Sequence, residues 1–437
     1  MKIFLESLGC DKNRVDSEEM LGLLQGAGFS FCNDETEADI IIINTCCFID
    51  AAKEESIETI LALARMKEIG KCSRLIVTGC MAQRYKDEIL KELPEVDAIV
   101  GPGDLSQIIS AAGGPASSEE NKTQKRPRRI ITTPGHYEFL RIADGCDKRC
   151  TYCVIPYIRG SYRSEKLEEL VEEAETLAKE GVRELILVAQ ETTVYGTDIY
   201  GKKMLPELLR RLCGIEGLKW IRVLYTYPEE IDEELLDVMA SQEKIVHYLD
   251  MPVQHASDDI LRRMGRRTSR KELLDTIHMI RSRIPGIALR TSLITGFPGE
   301  TQADFEALKS FVEEAAFDRL GVFTYSQEEG TPAAAFSDQI PEKVKEKRRD
   351  EIMELQARIS AGKLSERTGE IFDVFIEGYL PDDEIYVGRT YMDAPDVDGF
   401  FYVKSERSLL TGDFIKARCI SSGEYDLYGE EIYESAE

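Results

Sequence analysis

Short apolar segments alternate with longer amphipathic segments through the first hundred residues. The apolar segments are KIFLES at 2–7, ADIIIIN at 38–44 and RLIVTG at 74–79, and the amphipathic segments cover 17–27, 51–67 and 83–93. The apolar segments have the length and β-branched composition of buried strands, and the amphipathic ones have helical spacing. Strands and helices in alternation predict an open parallel α/β sheet in this part of the chain.

A second alternation begins near residue 138 and repeats six times. Its strand candidates are 139–143, 184–189, 220–225, 246–251, 287–294 and 319–325. Between the first two candidates, apolar residues from Leu167 to Ala178 keep helical spacing while glutamates occupy the opposite, solvated face. A helical stretch at 342–364 follows the last strand. Six strand–helix repeats predict a (β/α)₆ barrel, that is, a partial TIM barrel.

The hydrophobic period changes after residue 372. Five short segments with strand composition lie at 373–380, 384–390, 399–405, 413–420 and 424–430, separated by turns of Asp, Gly and Pro. This spacing predicts a small antiparallel β-barrel. Residues 372–437 contain sixteen acidic and five basic side chains, a net charge of −11, which is opposite to the charge expected of an RNA-binding barrel.

The segment from Gly113 to Arg129 is nearly free of apolar residues and contains two prolines. This composition is typical of a linker. We therefore predict four units along the chain: an N-terminal domain at 1–112, a linker at 113–131, a barrel domain at 132–366 and a C-terminal domain at 367–437.

Composition and charge restrict the possible functions. The chain has 437 residues, 43% of them hydrophobic, and no apolar run long enough to span a bilayer. Glu6 interrupts the first apolar segment, so we expect a cytoplasmic protein without a secretory leader and without membrane contact. The formal charge of −26 opposes non-specific binding to nucleic acid and favours a basic partner.

Cysteine placement provides the first candidate chemistry. Eleven cysteines are too few for a disulfide scaffold in a chain of this length, so clustered cysteines are better interpreted as metal ligands. Cys146, Cys150 and Cys153 stand in GCDKRCTYCVIP, directly after the first strand of the sixfold repeat. Three thiolates on one loop can hold an iron–sulfur cluster, and three ligands leave one iron of a four-iron cluster open for a small molecule.

Two alternatives remain for this triplet. One is a zinc site completed by a distant residue such as His136, and the other is an electron carrier with a fourth cysteine elsewhere. Zinc motifs usually contain paired Cys-x₂-Cys spacings, and the gap from Cys146 to Cys150 does not match that pattern.

Three other cysteines share a placement of their own. Cys10, Cys46 and Cys80 each lie just past the carboxyl end of a predicted N-terminal strand. Because the carboxyl ends of parallel strands meet at one edge of a sheet, we expect these three thiols to converge. The alternative is that they are buried strand-end thiols without a ligand. The remaining cysteines lack this placement, and we interpret them as packed thiols: Cys32, Cys47, Cys72, Cys213 and Cys419.

The Cys-x₃-Cys-x-aromatic-Cys loop, with Tyr152 as the aromatic residue, resembles the signature of the radical S-adenosylmethionine enzymes. This resemblance implies a 4Fe-4S cluster whose open iron binds S-adenosylmethionine and whose electron cleaves it to a 5'-deoxyadenosyl radical. It also implies contacts between the cofactor and Tyr152, and between the cofactor and Gln190 and Glu191, which follow the second barrel strand. Arg290 and Gly296, on the fifth strand and its turn, are further cofactor-binding candidates. Ordinary loop polarity and a plain strand-to-helix turn remain the alternatives for these positions.

The whole organisation, with three N-terminal cysteines, a radical barrel and a C-terminal β-barrel of the TRAM type, resembles the methylthiotransferases. The resemblance implies that Cys10, Cys46 and Cys80 hold a second 4Fe-4S cluster that carries or delivers the methylthio group. It implies that one S-adenosylmethionine supplies the methyl group and another supplies the radical. We expect no catalytic side chain beyond the cluster ligands, and we expect the N-terminal domain to cover the barrel mouth so that both clusters face one cavity.

Four segments resemble the branch of this family that modifies the β-carbon of an aspartate in small-subunit ribosomal protein S-twelve. They are SLGCDKNRVDSE at 7–18, LVAQETTVYG at 187–196, RLGVFTYSQEEGTPAA at 319–334 and GRTYMDAPDVDG at 388–399. The implied partners are that basic protein or the small ribosomal subunit, an electron donor and a sulfur source, with no specific nucleic acid. An RNA methylthiotransferase and a non-enzymatic iron–sulfur protein remain as alternatives.

Overall fold

The apolar segments of the first hundred residues form an open parallel sheet in the computed structural model, which describes residues 1–115 and 128–433. Residues 116–127, in the middle of the predicted linker, and residues 434–437 lie outside the described residues. The N-terminal strands are β1 Lys2–Ser7, β2 Ser30–Phe31, β3 Ile40–Thr45, β4 Arg74–Gly79 and β5 Ala98–Val100, in the order β2-β1-β3-β4-β5. The helices are α1 Asp11–Gly26, α2 Asp50–Ala64, α3 Met66–Ile69, α4 Cys80–Arg84, α5 Lys86–Glu92 and α6 Gln107–Ala111. Every residue of β3 is buried, as expected for a central strand covered on both faces.

The six predicted strands of the second repeat form one parallel sheet. Its strands are β6 Tyr137–Arg141, β9 Glu184–Val188, β10 Trp220–Val223, β11 Ile245–Asp250, β12 Ala288–Thr295 and β13 Arg319–Thr324. Their order, β13-β12-β11-β10-β9-β6, follows the chain without a crossover, which confirms the (β/α)₆ prediction. A separate two-stranded ribbon of β7 Ala143–Asp144 and β8 Arg163–Ser164 flanks the cysteine triplet.

Nine helices accompany the described part of this domain. They are α7 Ile155–Ile158, α8 Leu167–Lys179, α9 Thr197–Tyr200, α10 Leu205–Cys213, α11 Glu233–Ser241, α12 Asp258–Arg263, α13 Arg270–Arg283, α14 Gln302–Ala315 and α15 Glu342–Ser365. The glutamate-rich face of α8 is turned outward and its apolar residues are buried, as its sequence pattern predicts. Among residues 1–115 and 128–433, no helix is both long and apolar enough to cross a membrane.

The C-terminal strands close into a small barrel. They are β14 Ile371–Leu380, β15 Ile385–Arg389, β16 Phe401–Lys404, β17 Phe414–Ser422 and β18 Leu427–Glu431, in the closed order β14-β15-β16-β18-β17. The pairings are antiparallel except between β16 and β18, which run parallel. The prediction of an antiparallel barrel is therefore wrong at this one pairing. In the sequence β17 separates β16 from β18, whereas in the barrel β16 and β18 are direct neighbours.

The C-terminal barrel packs against the inner face of the six-stranded sheet of the larger barrel. Trp220 of β10 makes edge-to-face contacts with Phe375 and Phe414 of the small barrel. Arg389 lies between two carboxylates, with Nη2 2.6 Å from Glu184 and Nε 2.7 Å from Glu377. These apolar and ionic contacts fix the small barrel against one end of the larger one.

Helix α1 joins the N-terminal sheet to the barrel through buried charges. It begins at Asp11, six residues before the amphipathic segment predicted from the sequence. Glu18 is fully buried and lies 2.7 Å from Arg129, and Glu19 lies 2.8 Å from Arg141 of β6. Asp16, in the turn that precedes the predicted segment, is also buried and pairs with Arg159, so this turn shows no apolar face in the sequence and the predicted start is too late.

Candidate active site

The sheet brings the three N-terminal cysteines to one edge. Cys10 is the N-cap residue of α1 directly after β1, Cys46 follows β3, and Cys80 is the first residue of α4 directly after β4. Because β1, β3 and β4 are parallel neighbours, their carboxyl ends lie side by side. Cys46 and Cys80 are buried, whereas Cys10 is exposed.

Close packing joins the loops that carry these thiols. A Cβ atom at Gly9 would lie 2.7 Å from the Cβ atom of Cys46. Asn13 of α1 donates from Nδ2 to the carbonyl of Thr45, at 3.1 Å, and its Oδ1 lies 3.7 Å from the Cys80 sulfur. Burial raises the pKa of Cys80 to about 12, and negative charge on Cys10 and Cys46 acts in the same direction.

Among the described residues, no three His, Cys, Asp or Glu side chains lie close enough to share one metal ion. In a cubane cluster each thiolate binds its own iron, so the ligand sulfur atoms are spread around the cluster.

Gly79 makes the approach of Cys80 to this edge possible. Its φ is +92°, and a Cβ atom there would lie 2.3 Å from Asn44 Oδ1 and 2.4 Å from the Thr45 carbonyl oxygen. A side chain would clash with fixed polar atoms in a backbone conformation that L-residues rarely adopt. Only glycine at position 79 therefore allows the close packing of the strand end that leads to Cys80.

We expect Gly79→Ala to lower the free energy of unfolding by about 3 kcal/mol, because it combines positive-φ strain with overpacking. Urea unfolding measures the loss, and iron content after anaerobic reconstitution measures the effect on the N-terminal thiols. Gly26→Ala is the control, since a Cβ atom there would meet nothing within 4 Å. Equal effects of the two substitutions would contradict the assigned role of Gly79.

The second cysteine set lies on the loop between β7 and α7. Thr151, in the middle of this loop, donates from its backbone N–H to the Met264 carbonyl at 2.9 Å and from its hydroxyl to the Arg263 carbonyl at 2.8 Å. Cys146 donates its backbone N–H to the Gly160 carbonyl at 3.2 Å. The barrel therefore fixes the backbone that presents the three thiols.

The thiols of this triplet lie in one largely buried group. Burial raises the pKa of Cys146 to about 11 and the pKa of Cys153 to about 12. Negative charge on Cys150 acts in the same direction on both pKa values. The alternative zinc ligand His136 lies before β6, whereas the triplet follows β7, and its Nε2 atom is 2.9 Å from Glu377 of the C-terminal barrel. The structure thus gives the zinc alternative no support from His136.

Arg159 connects the two cysteine sets. It follows α7, six residues beyond Cys153, and its side chain is only 1% exposed. Its Nη2 atom donates to the Cys80 sulfur at 3.7 Å and to Asn13 Oδ1 at 2.8 Å. The same nitrogen lies 2.7 Å from Asp16 of α1. Arg159 was not among the residues predicted from the sequence, where its only signal is its position shortly after the triplet.

Apolar packing supports this connection. Val154 and Ile158, which flank and belong to α7, share a buried cluster with Cys47, Cys80 and Met81 of the N-terminal domain. The segment that follows the triplet is therefore packed directly against the segment that carries Cys80.

Three of the predicted cofactor-binding residues surround the triplet. Gln190 donates from Nε2 to Asp144 at 3.1 Å, and its buried Oε1 atom has no hydrogen-bond partner. Glu191 lies 3.4 Å from the ammonium of Lys148, and burial raises its pKa to about 7 against the lowering effect of that ammonium. Tyr152 packs against a buried apolar cluster that includes Met264 and Phe297. An unpartnered acceptor on a side chain that contacts Asp144, next to the cysteine loop, fits a ligand with a cationic amino group.

The other two candidates have different surroundings. Arg290 lies 2.8 Å from Asp250 and 3.4 Å from Asp398, and it lines a cavity that also contains Cys10. Gly296 has a φ of +72°, and a Cβ atom there would lie 2.2 Å from Lys345 of α15. Arg290 therefore shares a cavity with Cys10, and the open side of Gly296 is filled by a lysine side chain.

Three models of known protein families match successive parts of the chain. Residues 2–101 match the family model described as uncharacterized protein family UPF0004, residues 140–312 match the radical SAM superfamily, and residues 368–432 match the TRAM domain.

Curated relatives match almost the entire chain, and each is named ribosomal protein uS12 methylthiotransferase RimO. The protein of Lachnoclostridium phytofermentans is 57% identical over 98% of this chain and 99% of its own length. That of Acetivibrio thermocellus is 50% identical over 100% and 99%, and that of Clostridioides difficile is 47% identical over 100% of each chain.

Solved structures share the fold at low identity. The radical S-adenosylmethionine methyltransferase TsrM from Kitasatospora setae, solved with cobalamin and a 4Fe-4S cluster, has a TM-score of 0.56 at 15% identity, covering 76% of each chain. The cobalamin-dependent radical enzyme OxsB has a TM-score of 0.53 at 12% identity, covering 80% of this chain and 56% of its own. These likenesses establish the barrel architecture alone.

Proposed function

The chain belongs to the family of ribosomal protein uS12 methylthiotransferases, and on that premise we propose which of its residues perform each part of the reaction. It is a radical S-adenosylmethionine enzyme that transfers a methylthio group to uS12, the small-subunit protein S-twelve. The acceptor that we propose is the β-carbon of an aspartate. The contact of Arg159, which follows the triplet loop, with the Cys80 sulfur and with Asp144 is the observation that carries this assignment.

The radical S-adenosylmethionine family has a 4Fe-4S cluster and S-adenosylmethionine as its cofactors. We assign the cluster to Cys146, Cys150 and Cys153, none of which forms a disulfide. When bound, the two cofactors supply one-electron chemistry strong enough to remove a hydrogen atom from an unactivated carbon. The unpartnered oxygen of Gln190 would accept a hydrogen bond from the amino group of S-adenosylmethionine. The buried Glu191, held by Lys148, would add negative charge beside the same group.

We assign a second 4Fe-4S cluster to Cys10, Cys46 and Cys80. The three free thiols at one sheet edge support this assignment, because each can bind one iron and leave the fourth open. When bound, this cluster would carry or deliver the methylthio group that joins the acceptor carbon. Arg159 would donate to the Cys80 thiolate and place a positive charge beside it, which stabilises an anionic cluster.

The remaining residues of the site orient the two cysteine loops and exclude water from between them. Val154 and Ile158 pack against the N-terminal core and keep water from the junction of the two cysteine sets. Asp144 accepts a hydrogen bond from Gln190 at 3.1 Å and lies 3.5 Å from Arg159. A movement of either cysteine loop would therefore disturb the other through this carboxylate.

The proposed domain boundaries are 1–112, 113–131, 132–366 and 367–437. Each of the three family matches falls within one of these proposed domains, which supports the division. The acidic character of the last domain supports a basic protein substrate over RNA, because like charges would oppose phosphate binding.

Metal content and product analysis test the proposal. Anaerobic reconstitution should give about eight iron atoms per chain if both clusters are present, and about four would refute the second cluster. Incubation with S-adenosylmethionine, a reductant and uS12 should yield 5'-deoxyadenosine and a uS12 that is heavier by one methylthio group. Bulk tRNA serves as the competing substrate, and its modification in place of uS12 would overturn the assigned acceptor.

A further inference from the structure

The segment between β15 and β16 lies inside the open face of the large barrel, although it belongs to the C-terminal domain. Thr390, Met392, Asp393 and Ala394 are all buried there. This segment is part of GRTYMDAPDVDG, and no step of the proposed reaction uses its residues.

Two buried aspartates anchor the segment to the barrel strands. Asp393 pairs with Arg319 of β13 and accepts a hydrogen bond from Thr390 at 2.8 Å. Asp398 accepts a hydrogen bond from the hydroxyl of Tyr248 at 2.7 Å and from the backbone N–H of Ala394 at 2.9 Å. Buried charge-assisted hydrogen bonds of this kind fix a loop rigidly at both ends.

The tip between these anchors, Pro395–Asp396–Val397, has the opposite character. The side chain of Asp396 is 64% exposed, and Val397 is 58% exposed. Asp396 also has a φ of +65°, a strained conformation for a residue other than glycine. A rigid base thus holds a carboxylate and an apolar side chain outward at a cost in backbone strain.

The tip forms one wall of a cavity of about 340 Å³ between all three domains. The opposite walls include Cys10 and Asp11 of the N-terminal domain and Tyr225 of the barrel. A target carbon that receives sulfur from the N-terminal cysteines must come close to Cys10. The polypeptide that flanks the target would then pass along the tip.

The charges that line the cavity leave Asp396 as the available carboxylate. Asp250 lies 2.8 Å from Arg290, and Asp11 lies 2.9 Å from the buried ammonium of Lys12. Among residues 1–115 and 128–433, the polar contacts of the Asp396 side chain are two long ones, 3.4 Å to the Tyr137 hydroxyl and 4.0 Å to Arg14. An incoming cationic side chain could therefore pair with Asp396 without displacing a close partner.

We propose that the tip Pro395–Asp396–Val397 is a specificity-determining part of the substrate site, in which Asp396 pairs with a lysine or arginine that flanks the target residue of uS12. The proposal rests on the proposed function, since it assumes a basic protein substrate. It adds that the C-terminal domain contributes residues to the reaction cavity itself. Val397 packs against the aliphatic part of the same substrate segment.

Charge reversal at the tip tests this role. Steady-state methylthiolation of uS12 by the reconstituted enzyme is measured for Asp396→Lys, Asp396→Asn and the control Asp383→Lys, which changes an exposed acidic residue of the β14–β15 turn by the same charge. We expect Asp396→Lys to raise KM for uS12 at least about tenfold while kcat changes less than about twofold. We expect Asp396→Asn to give a smaller increase in KM and Asp383→Lys to leave KM within about twofold of wild type.

Substrate variants identify the partner of Asp396. Each lysine and arginine within three residues of the target is replaced by glutamate in turn, and one of these variants should restore KM with Asp396→Lys. Equal KM values for Asp396→Lys and Asp383→Lys, or the absence of a restoring uS12 variant, would overturn the proposal. A wild-type enzyme that fails to modify uS12 would instead refute the proposed function, so the two failures are distinguishable.

Discussion

Replacement of Cys146 by alanine should abolish the formation of 5'-deoxyadenosine from S-adenosylmethionine. The triplet loop offers three thiols for a cluster that needs three protein ligands and one open iron, so the loss of one ligand removes the site that binds the cofactor. The loop backbone is held by Thr151 and its contacts with Met264, which leaves no flexibility for another side chain to replace the missing thiolate. We expect product below about 1% of the wild-type amount, since no acid–base group can supply this chemistry.

Chromatographic quantification of 5'-deoxyadenosine in the presence of a chemical reductant measures this effect. Iron content should fall from about eight to about four atoms per chain, because the N-terminal cysteines keep their cluster. Cys213→Ala is the matched control, since Cys213 is a half-buried thiol on α10 that packs against the barrel core. Wild-type 5'-deoxyadenosine formation by Cys146→Ala would refute the role of the triplet.

Replacement of Cys46 by alanine should have a different outcome. We expect 5'-deoxyadenosine formation to continue while methylthiolation of uS12 falls below about 1% of wild type. Cys46 follows the central strand β3 and is packed against Gly9, so its loss leaves Cys10 and Cys80 unable to hold a cluster alone. The triplet and the residues beside it, Gln190 and Glu191, remain in place because the barrel supports them.

Mass spectrometry of uS12 and quantification of 5'-deoxyadenosine in the same reaction separate the two activities. Cys47→Ala is a stringent control, because Cys47 is the next residue, is also buried and packs in the apolar core of the sheet. We expect Cys47→Ala to retain most of the methylthiolation activity. Normal methylthiolation by Cys46→Ala would show that sulfur does not arrive through the N-terminal cysteines.

Hydrophobic periodicity predicted most of the secondary structure. The three N-terminal strands, the six barrel strands and the five C-terminal strands were all located, because their apolar residues are buried by neighbouring elements whose positions follow from chain order. The short edge strands β2 and β5 were missed, since two or three residues carry no measurable period. The predicted start of α1 was wrong because its first turns bury a charged residue, Asp16, which pairs with arginines distant in sequence.

The cysteine positions could be anticipated, but their surroundings could not. The convergence of Cys10, Cys46 and Cys80 follows from strand-end placement, and the structure brings the three loops together. The contact of Arg159 with Cys80 joins residues 79 positions apart, and no local pattern indicates it. For the same reason, the sequence did not indicate that the Lys345 side chain occupies the space beside Gly296, or that Arg290 pairs with Asp398 of another domain.

The sequence by itself determined the elements, their order and the two groups of three cysteines, because strand period, helix period and ligand spacing are properties of short segments. Only the tertiary structure decided which groups share a cavity. Buried pairs of residues that are distant in sequence hold the three domains together, such as Tyr248 with Asp398 across 150 positions. They form where a low dielectric strengthens a hydrogen bond and makes an unpaired charge costly. That selection depends on the complete packing of three domains, and it places the tip at 395–397 beside Cys10.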